Sequence, residues 1–189
     1  VELAVPGQHY AQDALLALAV GHQLGHDPAA LAAGLARFTG AARRMESKGH
    51  AGGVRVYDSY AHHPTEIAAD LAAARSVAGS DRLVVAYQPH MVSRTREFGA
   101  RMGQALSSAD LVVVADLYLA REDPDPAVTS QLVTDAVDGP QAILGGPVED
   151  LHSVLVPLLQ SGDLLLTLGA GNITEVGPRV LTALAAASV

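Results

Sequence analysis

The sequence contains no cysteine and no tryptophan among its 189 residues, and aromatic residues make up only 4% of it. The absence of cysteine excludes disulfides and thiolate metal sites, and it suits a cytoplasmic location, which we expect. The formal net charge is −8, and no run rich in Lys or Arg occurs. Nucleic acid and anionic membrane are therefore excluded as main partners. No apolar run reaches the roughly 18 residues that a membrane-spanning helix needs.

Hydrophobic residues account for 49% of the chain and charged residues for 17%, which is enough to build a buried core of Ala, Val, Leu and Ile. Residues 11–24 and 29–38 are predicted to be two helices. The first ends at Gly25, and Asp27-Pro28 supplies a cap and a first-turn proline for the second. The composition changes at residues 41–53, where charge and glycine replace the apolar pattern. We therefore predict a domain boundary near residue 42 and a hairpin that turns at residues 51–53.

From residue 54 onward, short apolar runs alternate with helical patterns. Strands that are apolar throughout and are each followed by a helix are typical of a parallel sheet covered on both faces. We predict a Rossmann-like α/β fold with a mostly parallel sheet and helices on both faces. The predicted strands are residues 54–59, 82–88, 110–118, 142–146 and 163–171, and the predicted helices are residues 64–76, 94–106, 129–137, 148–160 and 174–187.

Polar side chains follow four of these strands, at residues 58–63, 88–96, 116–122 and 169–172. In an open α/β sheet, ligands bind at the carboxyl ends of the strands, and all four polar turns are expected at that edge. One such turn arises easily by chance, whereas four that converge favour a binding or catalytic site.

Other interpretations of these turns remain open. His62-His63 resembles a metal-binding pair, but adjacent residues in a turn point apart and no further ligands join them, so we predict no metal site. Pro64 serves equally well as a first-turn helix residue. Arg94 and Arg96, at a predicted helix start, suit either a phosphate or carboxylate site or a solvated surface. The sequence contains neither a G-x-x-x-x-G-K-[ST] loop nor a G-x-S-x-G elbow, so it has no phosphate-binding loop of its own.

Five motifs, in order and at compatible spacing, carry a resemblance to a known family. They are "VPGQHYAQDALLALAV", "FTGAARRMESKG", "VYDSYAHHPTEI", "YQPHMVSRTREF" and "LTLGAGNIT". Over essentially its full length the chain resembles the C-terminal part of the Mur ligases, in the branch that acts on UDP-N-acetylmuramate and L-alanine. The resemblance implies that residues 1–42 end a central ATP-binding domain and that residues 43–189 form the C-terminal domain. The chain opens without an initiator Met, which fits a fragment whose N-terminal domain and phosphate-binding loop are missing.

The resemblance also implies a reaction and its participants. ATP and Mg²⁺, held mainly by the missing domain, would activate the muramoyl carboxylate as an acyl phosphate, and the amine of L-alanine would displace the phosphate. We expect the 189-residue chain alone to be inactive. The implied nucleotide-binding residues are Asp13, Arg44 and Asp58. Tyr60, His62 and Arg94 are implied as catalytic residues, and Tyr60, His62, His90 and Arg94 as substrate-binding residues.

The chain departs from the family pattern at four positions. Asp13 replaces an asparagine that contacts adenine, Ser59 and Asn172 replace acids, and Met91 replaces an arginine. We interpret these changes as lineage variation, because the implied site residues Arg44, Asp58, His62 and Arg94 remain. Two alternatives stay open, namely a nucleotide-binding paralogue without catalysis and a ligase that recycles muramyl peptides.

Overall fold

The computed structural model describes residues 2–187, so that Val1, Ser188 and Val189, at the ends of the two predicted domains, lie outside it. Two helices come first, α1 (Gln8–Gln23) and α2 (Pro28–Ala36). Asp27 caps α2 by accepting a hydrogen bond from the backbone N–H of Ala30 at 3.1 Å. Gly25, just past α1, has a φ of 86°, a conformation that glycine adopts without strain. Both helices are therefore where the sequence predicts them.

A hairpin opens the sheet. Strand β1 (Glu46–Ala51) pairs antiparallel with β2 (Val54–Ser59). The turn residues Gly52 and Gly53 have φ values of 56° and 77°. A two-residue turn with both residues at positive φ matches the right-handed twist of the strands, which explains the glycine pair.

The remaining elements alternate along the chain. They are α3 (Pro64–Ala78), β3 (Leu83–Tyr87), α4 (Val92–Leu106), β4 (Leu111–Ala115), α5 (Gln131–Thr134), β5 (Gln141–Gly146), α6 (Leu151–Leu155), β6 (Leu164–Leu168) and α7 (Val176–Ala187), with 3-10 turns at Val156–Leu158 and Asn172–Glu175. The sheet order is β1-β2-β6-β3-β4-β5, and every pairing except β1–β2 is parallel. This confirms the predicted Rossmann-like class.

The sheet carries a core on each face. On one face, Ile67, Leu71, Met102 and Leu106 of α3 and α4 pack under the strands, and on the other, Val176 and Val180 of α7 join Leu155 of α6. The five residues of β3, of β4 and of β6 are all buried, as expected for strands covered on both sides. Helices therefore cover both faces, as predicted.

Two predicted helices are shorter than expected. The pattern over residues 148–160 yields α6 only to Leu155, followed by a 3-10 turn that contains Pro157. Proline has no backbone N–H to continue the α-helical ladder, so the helix ends before it. The predicted helix at residues 129–137 is α-helical only over Gln131–Thr134, and i→i+3 bonds such as Ala136 N to Val133 O finish the segment.

Candidate active site

The four polar turns lie side by side because of the strand order. β6 runs between β2 and β3, and β4 follows β3, so the four strands that end in polar turns are consecutive neighbours in the sheet. All four are parallel to one another. Their carboxyl ends therefore meet at one edge, as the sequence predicts.

Four aromatic rings from three of these turns form a row along the edge. The Tyr60 and His62 rings meet edge to face with centroids 5.3 Å apart, and the His62 and His90 rings are 6.1 Å apart. His90 in turn stacks on Tyr118 at 5.3 Å with only 15° between the ring planes. The backbone supports this stack, since Tyr118 N–H donates to the carbonyl of Pro89. The structure thus brings Tyr60, His62 and His90 together, as their predicted roles require.

Arg94 joins the row from the first turn of α4. Its Nη1 donates to Nδ1 of His90 at 3.2 Å, one helical turn away along the chain. Burial, the Arg94 charge and the His62 charge all lower the pKa of His90, and only Glu122 opposes them. These effects favour the neutral form of His90.

Glu122 occupies part of the helix start for which the sequence leaves open an anion site or a solvated surface. It accepts hydrogen bonds from the backbone N–H of Ser93 at 2.7 Å and from the Ser93 hydroxyl. Arg96 forms an exposed ion pair with Asp125. A carboxylate of the chain itself therefore caps α4, and Arg94 is left as the guanidinium that faces the row.

Asp58 lies behind the row and is fully buried. Its carboxylate accepts hydrogen bonds from the hydroxyls of Thr167 and Thr174, each at 2.7 Å, and from Nε of Arg43 at 3.3 Å. Arg43 also donates to the carbonyl of Gly169. A direct contact between Asp58 and a nucleotide would require one of these partners to move, so the nucleotide role of Asp58 stays a prediction.

Arg43 and Arg44 have different surroundings although they are adjacent. Arg43 is at a φ of 54°, half-buried, and its guanidinium lies 4.8 Å from the Tyr60 ring centroid. Arg44 is exposed, and its guanidinium contacts only the Tyr60 ring, at 5.9 Å, among the residues that the structure describes. The structural role of Arg43 could not be recognised from the sequence, because its partners lie up to 126 positions away.

Asp13 and Arg44, two of the predicted nucleotide contacts, line one cavity of about 470 Å³. Glu66 and Asp70 of α3 line it as well. Burial raises the pKa of Asp70, against the hydrogen bond that the Ser59 hydroxyl donates to it. Ser59 therefore replaces the family acid with a donor that satisfies Asp70.

The "GAGN" turn packs tightly on the neighbouring strand end. The Gln88 side chain donates to Asn172 Oδ1 at 3.0 Å and accepts from the backbone N–H of Ile173 at 3.2 Å. A Cβ on Gly171 would lie 2.4 Å from Gln88 Oε1, and one on Gly169 would lie 2.7 Å from the Gln88 carbonyl. The absence of a Cβ at both glycines thus permits the close approach of β6 to β3.

Within residues 2–187, no group of three or more His, Cys, Asp or Glu side chains is placed to hold a metal ion. No helix in the same described range is long and apolar enough to cross a membrane.

The fold and the edge together define an α/β domain with a candidate ligand site across parallel strand ends, and comparison with known proteins identifies its family. Residues 43–171 match the family model described as Mur ligase, glutamate ligase domain. The chain belongs to the Mur ligase family.

Individual relatives agree with this assignment. The chain is 63% identical over 184 residues to the UDP-N-acetylmuramate–L-alanine ligase of a Nocardioides species, a match that spans 96% of this chain and 41% of that protein. The crystal structure of UDP-N-acetylmuramate-alanine ligase from Thermotoga maritima superimposes with a TM-score of 0.83 at 28% identity, covering 98% of this chain and 40% of that one. A murein peptide ligase from Psychrobacter arcticus shares the fold, with a TM-score of 0.71 at 23% identity over 98% of this chain and 38% of that one. The chain spans about 40% of the length of the relatives it matches.

Proposed function

We propose that this chain works as the C-terminal part of an ATP-dependent ligase that joins L-alanine to the carboxyl group of UDP-N-acetylmuramate in peptidoglycan synthesis. The observation that carries the proposal is the row of Tyr60, His62 and His90, with Arg94 beside it, at one edge of a Mur ligase domain. The 63% identity to a relative with that activity supports the choice of substrates. ATP and a UDP-sugar are cytoplasmic substrates, so we place the enzyme in the cytoplasm.

The proposed domain boundary near residue 42 rests on the exposed apolar surface of the two helices that precede it. Four apolar side chains in α1 or directly after it are 51–72% exposed, namely Leu15, Leu16, Val20 and Leu24. In α2, no residue is buried within the described structure. Helices this apolar are normally covered, so we assign residues 1–42 to a central ATP-binding domain and residues 43–189 to the C-terminal domain. The family model also begins at residue 43.

The nucleotide fits the cavity that Asp13 and Arg44 share. Arg44 is an exposed guanidinium without an ion-pair partner in the described chain, which leaves it available to a phosphate, and Asp13, as an anion, suits the adenosine end better than a phosphate. Magnesium would shield the phosphate charge, and because residues 2–187 hold no carboxylate cluster, we place its ligands outside this chain. Asp58 would act on the nucleotide indirectly, through Arg43, Thr167 and Thr174, which donate hydrogen bonds to its carboxylate.

The bond-forming step suits the polar row. The muramoyl carboxylate attacks the γ-phosphate of ATP, and ADP leaves with the electron pair of the broken P–O bond. The amine of L-alanine then attacks the acyl phosphate carbon, the C–N bond forms, and the C–O bond to phosphate breaks. Arg94 would hold a carboxylate, and Tyr60 and His62 would face the amine. Positioning and water exclusion by closure of the domains are the main catalytic contributions expected.

The test uses the full-length gene product that contains this chain. Phosphate release from ATP should require both UDP-N-acetylmuramate and L-alanine, and the 189-residue chain alone should give none. Arg44→Met should raise the KM for ATP by about tenfold or more, since a charge-assisted contact to phosphate is lost.

Two other outcomes distinguish the alternatives. Release that depends on a muramyl tripeptide instead of L-alanine would identify a recycling ligase, whose fold the Psychrobacter structure shares. Nucleotide binding without phosphate release under any of these conditions would identify a paralogue without catalysis. The replacements at Asp13 and Met91 would then explain the lost activity.

A further inference from the structure

The two histidines of the row each have one ring nitrogen in a hydrogen bond whose direction is chemically determined. Nδ1 of His62 lies 2.9 Å from the carbonyl oxygen of Tyr60. A carbonyl oxygen only accepts, so Nδ1 of His62 carries the proton. Nδ1 of His90 lies 3.2 Å from Nη1 of Arg94, and a guanidinium only donates, so Nδ1 of His90 is the bare nitrogen.

We propose that these two contacts hold His62 and His90 in opposite tautomers, so that Nε2 of His62 is a proton acceptor and Nε2 of His90 is a hydrogen-bond donor. Neither Nε2 atom has a hydrogen-bond partner within residues 2–187. The edge therefore offers a ligand one basic and one donating nitrogen, on rings 6.1 Å apart. This pair suits an α-amino acid, which brings an amine with protons to lose and oxygens to accept.

The two opposite tautomers add detail to the proposed function, and the roles of the two rings in the reaction depend on that function. The attacking amine must lose a proton as the C–N bond forms, and Nε2 of His62 is placed to receive it. His90 cannot be that base, because a proton on its Nδ1 would face the Arg94 guanidinium. Its Nε2–H instead donates to a substrate oxygen, and burial beside Arg94 favours the neutral ring by lowering its pKa.

Glu66 is a positioning residue for His62. Its Oε2 lies 3.6 Å from Nδ1 of His62 and accepts the backbone N–H groups of His62 and His63 at 3.1 and 3.2 Å. Burial raises the pKa of Glu66, but those N–H groups and the His62 charge outweigh it, and the pKa lies below its usual value. The ionised carboxylate thus lies beside the Nδ1–H of His62 and anchors the backbone on which the ring is mounted. Arg44 is the other charge that acts on Glu66.

The tautomers can be measured on this chain without any substrate. The ring nitrogens of uniformly ¹⁵N-labelled protein are recorded by long-range ¹H–¹⁵N correlation in a buffer alkaline enough for neutral imidazoles, and the eight histidines are assigned with His62→Gln and His90→Gln. His62 should show a protonated Nδ1 and a bare Nε2, and His90 the reverse. Arg94→Met should release His90 into a mixture of tautomers and leave His62 unchanged. The same tautomer on both rings, or a His90 signal that Arg94→Met does not alter, would overturn the proposal.

The role of Glu66 is tested on the same chain by the tautomer of His62. Glu66→Gln keeps an acceptor for the backbone N–H groups of His62 and His63, so His62 should keep its protonated Nδ1, whereas Glu66→Ala should release His62 into a mixture of tautomers. Glu97→Ala, on the exposed surface of α4, should leave the tautomer of His62 unchanged.

The possible results distinguish a failure of the tautomer proposal from a failure of the proposed function. A His62 tautomer that Glu66→Ala does not alter would refute the positioning role of Glu66. A full-length protein that releases no phosphate would refute the proposed function, whereas the NMR result decides the tautomers in either case.

Discussion

Replacing Arg43 with Met should destabilise the fold far more than replacing its neighbour Arg44. Arg43 supplies the only cation within hydrogen-bond distance of the fully buried Asp58 carboxylate in the described chain, and its side chain is 22% exposed. Removing one partner of a buried ion pair costs about 3–5 kcal/mol. Thr167 and Thr174 still satisfy Asp58, so we expect a smaller cost than this, about 2–3 kcal/mol. Methionine keeps the unbranched stem at this positive φ.

Urea denaturation followed by circular dichroism measures this difference, since the chain has no tryptophan to report it. For a chain of this size about 2–3 kcal/mol corresponds to a fall in Tm of roughly 5–10 °C. Arg44→Met should change the free energy of unfolding by about 0.5 kcal/mol or less, because only its distant contact with Tyr60 is lost. Equal effects of the two substitutions would refute the reasoning.

A double-mutant cycle identifies the contact responsible. Asp58→Asn keeps the shape of the side chain and removes its charge, so its combination with Arg43→Met should show a coupling of about 1 kcal/mol or more. Strict additivity would mean that Arg43 acts through the Gly169 carbonyl instead of the carboxylate.

Two further predictions concern stability. Gly171→Ala places a Cβ 2.4 Å from Gln88 Oε1 and should lower stability by about 1–3 kcal/mol in thermal melts. Gly34→Ala, with open space around it inside α2, should raise stability by about 0.5–1 kcal/mol. The opposite ranking of the two variants would contradict the packing of the glycine turn. Burial holds the pKa of folded Asp70 above its unfolded value, so the native state binds that proton more tightly and loses stability as pH rises from about 4 through the raised pKa. Asp70→Asn, which still pairs with Ser59, should remove that slope from urea melts across this pH range, and parallel profiles would show that Asp70 does not titrate there.

The strands and their order illustrate what the sequence predicts and what it does not. The apolar runs of β3, β4 and β6, each five residues long and buried, are visible because strands covered on both faces consist almost entirely of apolar residues. That β6 inserts between β2 and β3 is not visible, since pairing between segments some 100 residues apart leaves no local pattern. The sheet edge was therefore predicted as a convergence of turns, and only the structure shows which turns are adjacent.

The candidate site divides in the same way. The "DSYAHHPTEI" turn was predicted as part of a site because it is one of four polar turns that follow strands of the sheet, and the structure places Tyr60 and His62 in the ring row. The burial of Asp58 could not be predicted, because it depends on Thr167, Thr174 and Arg43 from distant segments. Glu66 did leave a local signal, at the third position of a helix whose cap it completes, but a capping glutamate alone does not indicate a role at a histidine.

The central claim is that substrates react at the edge formed by the four strand ends. The most direct test compares Arg94→Met with Arg96→Met in the full-length protein, by phosphate release that depends on L-alanine. Arg94 contacts His90 in the row, whereas Arg96, two residues on, pairs with Asp125 at the surface. The account predicts a fall in kcat/KM for L-alanine of about 100-fold or more for Arg94→Met, and a change within about twofold for Arg96→Met, with both proteins folded. Equal activity of the two variants would contradict it.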